Sequence, residues 1–136
     1  GKVKVEKFTC WVDCGTIINK LVVDGQVYGA LAQGIGLALS EDFEDLKKHT
    51  TLVKCGIPQI EDVPDALDVH YAKPEYSKRP DGPFGASGVG EGPLAAPHPA
   101  ILNAIFNATG ARITKVPATP DVVKEALDEL ASKAEA

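Results

Sequence analysis

Glu91 has the most unusual setting of any ionisable residue in the chain. It lies near the end of Phe84-Gly85-Ala86-Ser87-Gly88-Val89-Gly90-Glu91-Gly92-Pro93, a run of small residues broken by this one acid. Glycines let a ligand come within contact distance of the backbone. The apolar neighbours Val89, Leu94 and Ala95 would desolvate the acid and raise its pKa towards neutrality. A carboxylate so placed suits a general base. The same residue has a structural use: a negative charge before a helix starting near Pro93 is favoured by the helix dipole. Both uses stay open on the residues alone.

Other chemistries for this loop can be tested against spacing. Gly85 and Gly90 have the separation of a phosphate-binding loop, but Glu91 stands where lysine is required and would repel a triphosphate. No GxGxxG follows a strand, so a dinucleotide fold is not indicated. An anion held at the helix near Pro93 would make a small binding module, and Glu91 opposes that too. Cys10, Cys14 and Cys55 are odd in number. The odd count, with no leader expected, predicts reduced thiols in a cytoplasmic compartment. Cys10 and Cys14 are not spaced as CxxC, and His49, His70 and His98 are scattered, so no direct metal ligands are expected. Instead Cys10 and Cys14 read as small apolar residues filling a strand and its exit.

These residues must be positioned by a chain of 136 residues, the length of one domain, 1–136. Its 44% hydrophobic and 24% charged content is that of a globular protein. The net charge of -5 gives no support for a nucleic-acid partner, and no apolar run is long enough to span a membrane. Alternation predicts a strand over Lys2–Asp13, with a bulge near Lys7. Val27, Leu31, Ile35 and Leu39 predict a helix from Asp24, with Asp24 as N-cap and an acidic end at Glu41, Asp42 and Glu44. Gly25, Gly29, Gly34 and Gly36 all fall in this helix, each costing about 1 kcal/mol relative to alanine. Close approach explains them, by another element or by a flat ligand. Further strands are expected at Thr50–Lys54, Leu67–Tyr71 and Ile113–Val116, with connections over Ile57–Asp65 and Lys73–Pro83. An apolar helix over Ala100–Ala108 should close at Gly110, and a last helix should start at Thr119-Pro120 and run to about Lys133, before a weakly structured tail. The fold class is α+β, a small mixed sheet with about three helices.

The glycine loop with Glu91, followed by Pro93-Leu94 and Ala96-Pro97-His98-Pro99-Ala100-Ile101, resembles the active-site loop of the molybdenum hydroxylases, the xanthine dehydrogenase and aldehyde oxidoreductase enzymes. A second match supports it: Val12-Asp13-Cys14-Gly15-Thr16-Ile17-Ile18-Asn19, Gly25-Gln26-Val27-Tyr28-Gly29-Ala30 and Gln33-Gly34-Ile35-Gly36. Gly110-Ala111-Arg112-Ile113 fits as well, and the likeness is greatest to bacterial aldehyde oxidoreductases. Lys20 departs from the family, which usually has proline there.

The resemblance implies that Glu91 is the catalytic base, accepting the proton of the hydroxyl that the metal supplies. It implies that Gln26 hydrogen-bonds the pterin and that Gly88, Val89 and Gly90 lie against the metal's ligand sphere. Gln33 either joins them or only packs the helix. The cofactor would be molybdenum–molybdopterin, as the cytosine dinucleotide, with the metal held by the pterin and not by this chain. Because the family's molybdenum-binding unit is several times longer, the chain would be a C-terminal segment. Its partners would be the remaining molybdenum-binding portion and the iron–sulfur and flavin domains or subunits. Three cysteines cannot supply the four thiolates of an iron–sulfur cluster. Alone, the surface around Gly25–Gly36 and Gly85–Gly92 should be exposed and apolar and favour self-association. The alternative is a non-catalytic assembly or interaction module with the same fold.

Overall fold

A computed structural model describes residues 1–73, 75 and 81–134. The chain runs β1 (Lys7–Val12), α1 (Lys20–Leu39), β2 (Ala66–Tyr71), α2 (Pro97–Thr109) and α3 (Pro120–Ala134). Short 3-10 turns stand at Ile60–Asp62, Pro83–Gly85 and Gly92–Ala95. β1 and β2 pair in parallel, Lys7 opposite Ala66 and Val12 opposite Tyr71. Parallel neighbours need a crossover, and α1 lies on it. An isolated antiparallel bridge joins Gly15 to Ala86. The fold is therefore α+β with three helices, as expected.

The strands alternate between two environments. Phe8, Cys10, Val12, Leu67, Val69 and Tyr71 turn inward, and Thr9, Trp11, Asp68 and His70 turn outward. On the outer face Trp11 stacks on its register partner His70, ring centroids 4.4 Å apart. Beneath the inner face Cys14, Val23, Val27 and Leu31 form one core cluster, with Val89 packed against it. A second cluster joins Ile35 and Ala38 to Ile101, Ile105, Ile113, Ala118 and Val123. α1 serves both clusters, its first half against the sheet and its second half against α2 and α3. It is the spine of the molecule.

Several boundaries differ from expectation. The first strand covers only Lys7–Val12, although Val3 and Val5 still pack inward on the second cluster. α1 begins at Lys20 instead of Asp24, because Asn19 is the cap, its side chain accepting from the Val22 N–H at 3.2 Å. It ends at Leu39, so the acidic residues beyond it belong to a loop. Thr50–Lys54 forms turns, with Lys54 N–H bonded to Thr51 Oγ1 and Cys55 N–H to the Thr51 carbonyl. Ile113–Val116 pairs with no strand; Ile113 is buried by α1 and α2, which its apolar side chain needs and a sheet does not supply here. α2 starts earlier than expected, at Pro97, and closes on left-handed Gly110. Pro74 and Pro80 of the expected loop, and the last two residues of the tail, lie outside the described residues.

Residues 40–57 leave and rejoin the body through a narrow neck. Ser40 Oγ donates to the Gly56 carbonyl at 2.6 Å, and Asp42 N–H donates to the Cys55 carbonyl at 2.9 Å. The loop beyond exposes Leu46, Leu52 and Val53. No helix among the described residues is long and apolar enough to cross a membrane.

Two helix glycines are explained by this packing. A Cβ on Gly34 would overlap the Pro97 ring, and one on Gly36 would overlap Pro58 and the Glu41 carboxylate. Gly29, by contrast, has nothing within 4 Å of where a Cβ would lie. Gly34→Ala should therefore destabilise the fold by about 1–3 kcal/mol. Gly29→Ala should leave it unchanged or stabilise it by up to about 1 kcal/mol, because only helix propensity is altered. Chemical denaturation of the two variants checks this; equal destabilisation would contradict it.

Candidate functional site

The site is built where the exit of β1 meets the glycine loop. Thr16 N–H donates to the Gly85 carbonyl at 3.0 Å, and Ser87 N–H donates to the Cys14 carbonyl at 2.9 Å. Both crossing segments turn through left-handed glycines, Gly15 at φ 66° and Gly85 at φ 77°, a conformation that side chains resist. Gly15 N–H is also held by Asp13 Oδ1 at 3.2 Å. Beyond the crossing, Val89 anchors the loop on the cluster of Val23, Val27 and Leu31. The loop thus lies beside the first turns of α1.

That placement brings Gln26 to the loop. Gln26 Nε2 lies 3.5 Å from the Gly90 carbonyl oxygen, the outer limit of hydrogen bonding, and Glu91 is the next residue. Gln26, Gly88, Gly90 and Glu91 are all exposed, and Val89 is half-buried. The apolar flank expected to desolvate Glu91 does not bury it within this chain. Nor does Glu91 spend itself on capping: it precedes the 3-10 turn Gly92–Ala95, and its side chain makes no cap hydrogen bond. Gln33, further along α1, is exposed and so is not packed inside.

The glycines fall into two classes that their spacing in sequence does not distinguish. Gly34 and Gly36 are filled by this chain's own residues. Gly25, Gly29, Gly88, Gly90 and Gly92 have nothing within 4 Å of an added Cβ, and none has a φ that side chains resist. Neither packing nor backbone conformation in this chain asks for glycine at those five positions. Gly25 and Gly29 flank Gln26 on α1, and Gly88, Gly90 and Gly92 flank Glu91 in the loop, leaving bare backbone at both places. Leu21 (82% exposed), Val22 and Ile18 extend an apolar surface beside it.

Three residues next to the site, Lys20, Asp24 and Tyr71, form a polar cluster that the sequence did not single out. Asp24, expected to cap α1, instead stands one turn inside it and joins α1 to the sheet. Tyr71 Oη donates to Asp24 Oδ1 at 2.6 Å, while Lys20 Nζ donates to Oδ1 at 2.8 Å and to Oδ2 at 2.6 Å. The Lys20 ammonium also lies 5.4 Å from the centre of the Tyr71 ring. Hydrogen bonds from Lys20, then from Tyr71, hold the Asp24 carboxyl below the usual carboxylate range. Burial first, then the bond to Asp24, pushes the Tyr71 phenol above its ordinary value. The i, i+4 spacing of Lys20 and Asp24 was a visible signal; the distant Tyr71 was not.

Among the described residues no three His, Cys, Asp or Glu side chains are grouped to hold a metal, and all three cysteines are free. The geometry sets one carboxamide and one carboxylate beside glycines that no other residue of this chain covers. The family described as the molybdopterin cofactor-binding domain matches residues 1–64, which take in β1, α1 and Gln26. An aldehyde oxidoreductase from Megalodesulfovibrio gigas is 59% identical over 127 residues, 93% of this chain and 14% of that protein. The solved aldehyde oxidoreductase from Desulfovibrio desulfuricans superposes with a TM-score of 0.88 at 60% identity, over 93% of this chain and 14% of the other. The 6-hydroxypseudooxynicotine dehydrogenase complex subunit gamma from Paenarthrobacter nicotinovorans is 36% identical over 90% of this chain and 16% of its own length. The chain belongs to the molybdenum hydroxylase family, and spans only a small part of the length of these relatives.

The Tyr71–Asp24 bond has a pH signature. A phenol whose folded-state pKa is raised contributes stability in full below the unfolded tyrosine value of about 10, and loses it as pH rises from there. The depressed Asp24 has the opposite sense: its contribution is present above about pH 3.9 and lost as pH falls. Unfolding midpoints measured between pH 8 and 11 should fall more steeply for the unsubstituted protein than for Tyr71→Phe. Parallel curves would contradict the assignment.

Proposed function

We propose that the chain is the C-terminal portion of a molybdenum-dependent hydroxylase acting on aldehydes or N-heterocycles, and that Glu91 is its general base. The observation that carries this reading is the convergence of Gln26 and the Glu91 loop on one wall, lined by five glycines that nothing in this chain fills. A flat, hydrogen-bonding cofactor fits such a wall, since a Cβ at any of those positions would stand in its way. Gln26 would bind it through the carboxamide, and the backbone of Gly88, Val89 and Gly90 would line its approach. When bound, molybdenum–molybdopterin, as the cytosine dinucleotide, supplies the redox centre. Glu91, free of a capping bond, accepts a proton at its carboxylate from the attacking oxygen and so makes that oxygen a better nucleophile.

The opposite wall is supplied by the remaining molybdenum-binding portion, which covers the apolar surface at Ile18, Leu21 and Val22. Iron–sulfur and flavin centres belong to other domains or subunits, as the three cysteines here are scattered between strand, strand exit and loop. Free thiols suit a reducing compartment, and we place the protein in the cytoplasm.

The test is Glu91→Gln in the molybdenum-loaded polypeptide. Turnover should fall by about 10²–10⁴-fold with molybdenum content unchanged, the loss expected of a missing general base. Turnover at the unsubstituted rate would end the base reading. Gly90→Ala should leave the unfolding midpoint in place yet lower molybdenum per chain; full loading would count against the wall.

A further inference from the structure

The polar cluster Lys20–Asp24–Tyr71 is not part of the wall, and the proposed chemistry does not use it. Its place in the fold gives it a task. α1 rests on the sheet through Val23, Val27 and Leu31. Apolar contact of this kind is non-directional, so it sets the distance between helix and sheet better than the helix's rotation about its axis. A hydrogen bond is directional and resists that rotation. Tyr71 is the last residue of β2, and its hydroxyl reaches Asp24 at 2.6 Å. Lys20 holds the same carboxylate from within the helix, leaving it charged and fixed as an acceptor.

Gln26 lies two residues beyond Asp24 on the same turns of α1. A helical side chain ends about 5–6 Å from the axis, so a rotation of about 20° carries its tip by about 2 Å. Gln26 already lies 3.5 Å from the Gly90 oxygen, and a slip of that size would remove it from the loop. We propose that Tyr71 is a positioning residue: through Asp24 it sets the rotation of α1 and so holds the Gln26 carboxamide beside Gly90. The inference rests on the reading of Gln26 as a cofactor contact.

The test uses the molybdenum-loaded polypeptide and follows molybdenum loss from the protein with time after dilution. Gln26→Ala and Tyr71→Phe should each speed the loss by about threefold to tenfold, the worth of one hydrogen bond. The double variant should lose molybdenum no faster than Gln26→Ala alone, because both changes remove the same contact. Asp24→Asn keeps an acceptor for the Tyr71 hydroxyl and should stay near the unsubstituted rate, whereas Asp24→Ala should behave like Tyr71→Phe. That pair carries the test if Tyr71→Phe does not fold. A multiplicative double variant, or unsubstituted loss rates for both Tyr71→Phe and Asp24→Ala, would overturn the positioning role and leave the Gln26 contact standing. An unsubstituted rate for Gln26→Ala would instead remove the contact itself, and the positioning role with it.

Discussion

The crossing of the β1 exit and the glycine loop is the constraint on which the rest depends. Two backbone hydrogen bonds, Thr16 to Gly85 and Ser87 to Cys14, join segments far apart in the chain. The exit continues directly into the Asn19 cap and α1, while the loop continues directly into Glu91. Fixing one to the other therefore brings the first turns of α1, and Gln26 with them, beside the loop that carries Gly90. A left-handed glycine on each side lets the backbones come close enough to bond. Main-chain groups buried at such a crossing must pair or pay the cost of desolvation, so the join is held by more than the side chains around it.

α1 shows how one helix can answer two demands. Its buried face binds the sheet, α2 and α3 into one body through Val27, Leu31, Ile35 and Ala38. Its exposed face carries apolar residues and bare backbone that this chain leaves uncovered. A helix apolar on nearly all sides is normally enclosed. Under the proposed function the second side is covered by the rest of a longer protein; the relatives that match this chain are several times its length.

Much of this was legible in the sequence, unevenly. The alternation at Leu67–Tyr71, the Pro120 start and the Gly110 stop are local signals, and the structure follows them. The glycine loop and Gln26 were visible as motifs, and the fold brings them together. The start of α1 was misplaced because Asp24 and Asn19 are both good caps, and only Asn19 sits where its oxygen reaches Val22 N–H. Thr50–Lys54 and Ile113–Val116 have strand-like composition, but β-propensity expresses itself only where a neighbouring strand offers an edge. Nothing in spacing separates Gly25 from Gly34. The difference is Pro97, which reaches α1 from a distant part of the chain.

The neck at Ser40 and Gly56 has a practical meaning. The bonds at its base close the excursion on itself, and Leu52 and Val53 near its tip are exposed and belong to neither core cluster. Exposed tips of this kind tolerate added chain. The turn around Leu52 and Val53 is thus a natural insertion point in this chain for an affinity tag or a fluorescent reporter.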